Sequence, residues 1–187
     1  MLRKGNNSGF TLIELVIVIV LVGVIGSMAA TMLFQGADFF VKETNRQGFV
    51  SESRIAFWKL MRESQSQSGP ASFVQSDQNS IFLKNARNVD KDFQLVTPSN
   101  FNMRIGSANY SPLSSSMTAL NSNGFFYYDN NFNLISPAFS GMSIDQANSV
   151  HLLRLEMKFK RDQDELSLKS FIFPNNFRFG QKMSYHE

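Results

Sequence analysis

The sequence contains no cysteine among its 187 residues. Disulfide bonds and thiolate metal sites are therefore excluded, although an exported domain could have used either. Histidine is almost as scarce, since His151 and His186 are the only two. Neither lies in a pattern that supplies a base, a nucleophile and an orienting group together. Because glycine-rich phosphate loops, His-Glu-x-x-His motifs and nucleophile elbows are also lacking, the sequence predicts no enzyme and no cofactor.

The net charge of the chain is also small. The chain has 18 Lys and Arg against 15 Asp and Glu, a formal net charge of +3, and Arg3 and Lys4 in the first few residues supply part of it. No basic patch is interleaved with aromatic residues, which is the pattern that indicates direct nucleic-acid binding. The sequence therefore predicts no direct contact with nucleic acid.

One stretch has no charge at all, and it follows a single carboxylate. After Glu14 the next charged residue is Asp38. The apolar segment from Leu15 to Phe34, of about 20 residues, is long enough to span the roughly 30 Å hydrocarbon core of a bilayer. A charged side chain in such a segment costs about 2.5–3.5 kcal/mol or more, so it is usually functional and has a partner. Glu14 is therefore the first candidate functional residue.

The basic leader, the Gly9-Phe10 junction and the embedded Glu14 together resemble the prepilin N-terminus of type IV pilins and type II secretion pseudopilins. The resemblance implies that a prepilin peptidase cuts between Gly9 and Phe10 and that the new N-terminus at Phe10 is methylated. It also implies that Glu14 meets the terminal amine of a neighbouring subunit during assembly. The implied partners are other pilin or pseudopilin subunits, the prepilin peptidase, an inner-membrane assembly platform, an assembly ATPase and the lipid bilayer.

Two simpler interpretations of the same stretch remain open. A secretory signal peptide also has a basic start and an apolar core, and Ser27-Met28-Ala29 offers a small-residue cleavage site that would leave a chain starting at Ala30. A plain membrane anchor needs only the apolar span. Glu14 and the Gly9-Phe10 junction favour the prepilin interpretation over both. The positive-inside rule then keeps the leader in the cytoplasm and predicts a single-pass inner-membrane protein with a periplasmic head.

The helix is predicted to continue beyond the membrane. No proline occurs before Pro70, and apolar residues recur at helical spacing up to about Gln67, where the Gly69-Pro70 pair ends the helix. This amphipathic half presents one apolar stripe that can pack on a sheet. The stripe consists of Phe49, Val50, Ala56, Phe57, Leu60 and Met61, and Trp58 is expected to pack against the head.

Beyond Pro70 the periodicity becomes alternating, which predicts strands. Two antiparallel hairpins are predicted: 153–159 with 166–173 through the polar turn 161–165, and 125–128 with 132–135 through the turn 129–131. Weaker strands are predicted at 80–84, 93–96 and 101–105, and surface loops at 106–123 and 137–149. The fold class is α+β, with a long N-terminal helix, half membrane-spanning and half amphipathic, packed on an antiparallel β-sheet head. The resemblance implies the lollipop shape of pilins, divided into a leader (1–9), an assembly helix (10–35), an amphipathic helix (36–69) and a β-rich head (70–187).

Two differences between this sequence and many major pilins favour a minor subunit. Many major pilins have a disulfide-closed loop and a proline within the span, whereas this chain has no cysteine and has Thr31 at that proline's position. The order of the Tyr127-Tyr128-Asp129 hairpin and the following strand pair is similar to J-type minor pseudopilins. The expected function is to initiate or cap a pilus-like filament, and the alternatives are a major shaft pilin or a tip adhesin.

Two acidic clusters could suggest calcium, which binds six to eight oxygen ligands. They are Asp129-Asn130-Asn131 and Asp162 to Glu165. Asp and Asn also favour turns through local hydrogen bonds, and both clusters join predicted strands. We therefore interpret both as hairpin turns and predict no metal site.

Overall fold

The computed structural model describes residues 9–96, 98–118, 123–138 and 140–174. By compactness the chain divides into two units, Met1–Arg46 and Gln47–Glu187. The first unit consists, where described, of the N-terminal part of helix α1 and the residues that precede it. The second unit consists of the rest of that helix, a 3-10 helix, a short helix and the β-strands.

Helix α1 runs from Leu12 to Gln65, in agreement with the predicted long helix. Within the second unit it buries one stripe of side chains spaced three or four residues apart, which is the spacing of one helix face. The buried residues are Phe49, Ser53, Ala56, Phe57, Leu60 and Ser64. The predicted amphipathic half is thus confirmed.

The expectation for Trp58 was wrong. Its side chain is 61% exposed, whereas that of its neighbour Phe57 is 4% exposed. One residue turns the helix by about 100° and so carries position 58 off the buried stripe. The aromatic side chain that packs into the head is therefore Phe57.

A short 3-10 helix, Pro70–Phe73, follows the end of α1. Gln67, which is fully buried, holds this connection together. Its side-chain Nε2 donates hydrogen bonds to the carbonyl of Gly69 and to the hydroxyl of Ser72, both at 2.9 Å. Helix α1 thus ends at Gln65, slightly before the predicted end at about Gln67, and the Gly69-Pro70 pair lies at the start of the 3-10 helix that follows.

The first sheet is antiparallel and has the strand order β1-β2-β3-β4 among the described residues. Cross-strand packing of aromatic rings lies at its centre, where Phe93 and Phe101 have ring centroids 5.8 Å apart and are both fully buried. The strands are β1 Ser80–Ile81, β2 Lys91–Val96, β3 Asn100–Ile105 and β4 Ser111–Ser114.

Strand β4 corrects the prediction of a surface loop at 106–123. Pro112 suggested a loop because proline cannot donate to a strand ladder. Here Pro112 lies opposite Asn102 on the outer strand of the sheet, a position where the missing donor is tolerated. The stretch that follows also packs inward, since Ser114, Ser116 and Met117 are all buried.

The second sheet is also antiparallel, with the order β6-β5-β7-β8 where described, and it contains both predicted hairpins. The long hairpin closes at the pair Arg161 and Asp164, so its turn consists of residues 162–163 and not of the predicted 161–165. Asp162 has a φ of 54°, a left-handed conformation that Asp tolerates in turns. The strands are β5 Gly124–Tyr128, β6 Leu134–Ile135, β7 Leu152–Arg161 and β8 Asp164–Ile172.

A second correction concerns 137–149, predicted as a loop. It contains a short helix, α2, from Ile144 to Ser149. Ser143 caps this helix by accepting a hydrogen bond from the Gln146 backbone N–H at 3.2 Å, and the Gln146 side chain accepts one from the Ser143 N–H at 3.1 Å. The Ser-x-x-Gln spacing of this capping box is visible in the sequence.

The segment Ser116–Thr118 is bonded to both sheets. On one side the Met117 N–H donates to the carbonyl of Ser99, beside β3, at 2.9 Å. On the other side the Thr118 N–H donates to the Lys158 carbonyl of β7 at 2.9 Å, and the Lys160 N–H donates to the Ser116 carbonyl at 2.6 Å. This short segment therefore joins the two sheets along a continuous line of backbone hydrogen bonds.

Two ion pairs tie the C-terminal part of α1 to the sheets. Arg161 of β7 donates from Nη2 to Glu52 at 2.7 Å and to the Ser116 hydroxyl at 2.7 Å. Lys91 of β2 lies 3.3 Å from the Glu63 carboxylate. Between these pairs the helix and both sheets share one hydrophobic core.

Candidate functional site

The first candidate site is the start of helix α1. Thr11 is the residue before the first helical residue, Leu12, and its carbonyl accepts from the Leu15 N–H at 3.2 Å. The Glu14 carboxylate accepts from the Thr11 backbone N–H at 2.9 Å and from the Thr11 hydroxyl at 2.8 Å. The Thr11 hydroxyl in turn accepts from the Glu14 N–H at 3.4 Å. These are the reciprocal bonds of a capping box, in which Thr11 is the N-cap and Glu14 the third helical residue.

The capping role of Glu14 was not predicted. The signal was present, because Thr-x-x-Glu before an apolar run is the sequence signature of a capping box. A carboxylate in the first helical turn also interacts favourably with the helix dipole. Glu14 therefore stabilises the helix start within its own chain, besides the intersubunit role that the resemblance implies.

The Gly9-Phe10 junction precedes this cap and is open to approach. Gly9 is exposed, and a Cβ placed on it would have no heavy atom within 4 Å. Phe10 is 84% exposed and Leu12 is 83% exposed. The described residues around the peptide bond between Gly9 and Phe10 thus leave it accessible to a peptidase.

The surface that follows is apolar and uncovered. Every residue from Gly9 to Lys42 is exposed. Among the described residues α1 is the one helix that is long and apolar enough to cross a membrane, and none of its most apolar window is buried. An apolar surface of this extent is expected to be covered by lipid or by other protein.

Within that run the hydroxyl groups are satisfied by the helix itself. Ser27 donates to the Val24 carbonyl at 2.8 Å, and Thr31 donates to the Ser27 carbonyl at 2.9 Å. Hydroxyls that bond back to the preceding turn are tolerated in apolar surroundings because no donor is left unpaired. Glu14 is the only ionisable side chain between Phe10 and Ala37.

In the head, His151 lies directly before strand β7. Its ring contacts Phe173 edge-on, with centroids 5.7 Å apart. His186 lies outside the described residues. In the part of the chain that the structure describes, no group of three or more His, Asp or Glu side chains is placed to hold a metal ion.

The two acidic clusters form turns. In the first, Asp129 accepts from the backbone N–H groups of Asn131 and Asn133, both at 2.8 Å. The bond from the Asn133 backbone lowers the pKa of the Asp129 carboxyl below its ordinary value. The second cluster provides the turn of the β7–β8 hairpin and the first residues of strand β8.

Comparison with known proteins singles out the same N-terminal region. Residues 4–30 match the family model of the prokaryotic N-terminal methylation motif. Comparisons with curated proteins and with solved structures found no match to this chain. The matched residues include Gly9, Phe10 and Glu14, and they cover the capping box together with the first part of the exposed apolar helix.

Proposed function

We propose that this chain, whose N-terminal methylation motif supports a type IV pilin or pseudopilin, is a minor subunit that helps to initiate or cap a pilus-like filament. It is inserted in the inner membrane by the apolar part of α1, with the head on the periplasmic side. Prepilin peptidase removes the leader after Gly9, and Phe10 is then N-methylated. Other pilin or pseudopilin subunits and the assembly platform are its partners.

The observation that carries this proposal is the position of Glu14 in the otherwise apolar and uncovered first part of α1. A helix that only anchored the protein could be capped by an uncharged glutamine, without the cost of a charge near the start of its span. When such helices bundle, a carboxylate can be matched by the amine that cleavage creates on a neighbouring subunit. The Glu14 carboxylate then has a cationic partner in surroundings where an unpaired charge is costly.

The minor rather than major role is supported by what the chain does not contain. It has no cysteine for the loop disulfide of many major pilins, and Thr31 occupies the place of their proline. Helix α1 accordingly continues through residue 31 without interruption. The order of the β5–β6 and β7–β8 hairpins is the feature that favours a J-type subunit within this group.

Intact and N-terminal peptide mass spectrometry of the protein from its native membrane tests the processing step. We expect a chain that starts at Phe10 and has one added methyl group. Gly9→Val should retain the leader, because the proposed cut directly follows Gly9. Gly23→Ala, at a position where an added Cβ would have no atom within 4 Å, should be processed normally. An N-terminus at Ala30, an intact Met1, or normal maturation of Gly9→Val would each contradict the proposal.

Gene deletion tests the role in the filament. Loss of a minor subunit should lower the number of filaments while leaving their principal protein unchanged. If this chain were instead the dominant band in sheared filaments, it would be the shaft pilin. If piliation, secretion and DNA uptake were all unchanged after deletion, the filament assignment would fail.

A further inference from the structure

The part of α1 in the second unit has an exposed face with two large apolar side chains one helical turn apart. Ile55 is 63% exposed and Trp58 is 61% exposed. With Lys59, Met61, Arg62 and Gln65 they line an open groove of about 470 Å³. Trp58 is the only tryptophan of the chain, and large apolar side chains that remain exposed side by side mark interaction surfaces.

The charges around this groove are all positive. Arg54, Lys59 and Arg62 surround Ile55 and Trp58 on the same helix face, and none of the three forms an ion pair with a described residue. The carboxylates that flank them along the helix are already engaged elsewhere. Glu52 is bonded to Arg161 at 2.7 Å, and Glu63 lies 3.3 Å from Lys91.

We infer that this face, defined by Arg54, Ile55, Trp58, Lys59 and Arg62, docks a different protein that presents carboxylates around an apolar side chain. The groove beside Trp58 takes the apolar side chain, and the three cations face the carboxylates. Trp and Arg are the residue types most enriched at the energetic centres of interfaces. Complementary charge at the rim then sets the orientation and the rate of docking.

Other occupants match the charge less well. A second copy docked symmetrically would place the same three cations against each other. The chain beyond Pro174 contributes Arg178 and Lys182 against the single Glu187, and the leader contributes Arg3 and Lys4 without any acid. An anionic membrane surface would match the charge, but it has no protruding side chain to fill a groove. The docking face does not depend on whether the filament serves a pilus, a secretion system or DNA uptake. It is a feature of the head in addition to the proposed role as a minor subunit.

Site-specific photocrosslinking of the full chain in its native cells tests this inference. Benzoylphenylalanine replaces Ile55, and the crosslinked peptides are identified by mass spectrometry. The control has benzoylphenylalanine in place of Phe132, which lies in the β5–β6 turn and is 63% exposed. It shows which crosslinks form at any exposed position of the head. We expect a crosslink from position 55, and not from position 132, to another protein at a segment with Asp or Glu beside an apolar residue.

Charge reversal supplies the second measurement. Arg54→Glu combined with Arg62→Glu should lower the crosslink yield at least about fivefold, since like charges then face each other. Arg87→Glu makes the same type of change at an exposed cation between β1 and β2, and should alter the yield by less than about twofold. Raising the salt concentration to about 0.5 M should weaken the crosslink of the chain whose single change is benzoylphenylalanine at position 55, so the test does not depend on the charge-reversal variants folding.

Four results would overturn the inference: crosslinks to lipid alone, crosslinks to a second copy, no crosslink at position 55, or a protein crosslink insensitive to both charge reversal and salt. Thermal melting of the double variant shows whether it folds. If it does not, the salt titration decides.

Discussion

The carboxylate of Glu14 accepts two hydrogen bonds from Thr11, one from its backbone N–H at 2.9 Å and one from its hydroxyl at 2.8 Å. In the single chain the carboxylate therefore already has a partner at the start of its own helix. The amine of a neighbouring subunit, as proposed, would either add to these bonds or replace them. The capping of the helix by Glu14 and its proposed pairing with a neighbouring subunit are thus separate, and substitutions can distinguish them.

The first prediction concerns Glu14→Gln and Thr11→Ala. Glutamine also serves in a capping box but has no charge to pair with an amine. We therefore expect Glu14→Gln to insert normally but to enter filaments at least about tenfold less than the wild type. The reason is that the amine of the neighbouring subunit would be buried without a charged partner. Thr11→Ala should weaken the helix start by about 1 kcal/mol and enter filaments nearly as well as the wild type.

Quantitative immunoblotting of sheared filaments and of membranes checks this prediction. The ratio of filament to membrane protein should separate the two variants. If Thr11→Ala were the more defective one, capping rather than charge pairing would be the essential role of Glu14. If Glu14→Gln were incorporated normally, the proposed pairing would have to be abandoned.

The second prediction concerns the pH dependence of the Glu52–Arg161 pair. Partial burial raises the pKa of the Glu52 carboxyl, but hydrogen bonds from Arg161 and Ser114 together with the Arg161 charge outweigh it, so that the pKa lies below its ordinary value of 4.5. A carboxyl with a lowered folded pKa stabilises the protein above its unfolded pKa, and this contribution is lost as the pH falls through the folded pKa. Glu52→Gln should thus be less stable than wild type at pH 7 by about 1 kcal/mol, because the pair is partly exposed.

Thermal melting of the full chain in detergent, followed by near-UV circular dichroism, checks this prediction. The difference between wild type and Glu52→Gln should shrink as the pH falls below 4.5. In an Arg161→Met background the same substitution should produce little pH-dependent change. A difference that stayed constant over this range would show that the ion pair contributes no pH-linked stability.

The third prediction concerns Asp92, whose linkage has the opposite sign. Asp92 is 2% exposed and accepts from Arg104 Nε at 2.8 Å, with Nη2 bonded to the same oxygen. Burial raises the pKa of its carboxyl above the ordinary 3.8, and Arg104 offsets this only in part. Arg104→Met removes that offset and should raise the pKa further.

At pH 7 we expect Arg104→Met to cost about 2 kcal/mol. This is below the loss for a fully buried pair, because the Arg104 side chain is 34% exposed. Since the raised pKa makes the ionised carboxyl the unfavourable form, stability should recover as the pH falls towards the folded pKa. Adding Asp92→Asn should remove most of this pH dependence. Chemical denaturation between pH 7 and pH 4 measures both effects, and a loss that grew at low pH would refute this assignment.

The fourth prediction concerns Gly141. Its φ is +90°, and a Cβ at this position would lie under 3.0 Å from backbone atoms of Gln75. The approach is fixed by two backbone hydrogen bonds, from Gln75 N–H to the Met142 carbonyl and from Met142 N–H to the Ser76 carbonyl, both at 2.9 Å. We expect Gly141→Ala to cost about 3 kcal/mol, since left-handed strain and a backbone clash add together.

Gly106→Ala is the matched control. Gly106 also has a positive φ, +59°, but has open space where the Cβ would lie. Gly106→Ala should lower the free energy of unfolding by only about 1 kcal/mol, which is the strain of the left-handed conformation alone. Equal losses in the two variants, measured by thermal melting, would show that the close approach of Gln75 is unimportant.

Local patterns in the sequence predicted the elements that depend on neighbouring residues. Alternating side chains predicted the β7–β8 hairpin because a half-buried strand needs that period wherever it pairs. Helical spacing likewise predicted the stripe that includes Phe57 and Leu60, because residues three or four apart lie on one face of any helix. Strand β4 was missed because the tolerance for Pro112 comes from its outer place in the sheet, which depends on the order of strands and not on the local sequence.

The site was predictable to a similar extent. Glu14 could be chosen because an ionisable residue in an apolar run is costly wherever the chain folds. Gly9 and Phe10 were chosen from the resemblance to prepilin N-termini, and their roles stay predictions. The bond between Glu52 and Arg161 joins residues 109 positions apart, and no local period relates them. The exposure of Trp58 depends likewise on which side of α1 meets the sheets.

The segment Ser116–Thr118 has a consequence for how the head opens. Its amides and carbonyls are shared between Ser99 on one side and β7 on the other, and Met117 at its centre is 2% exposed. Neither sheet can unfold separately without breaking these bonds and exposing that side chain to water. Amides of the two sheets should therefore exchange with deuterium in one cooperative opening rather than as two independent foldons.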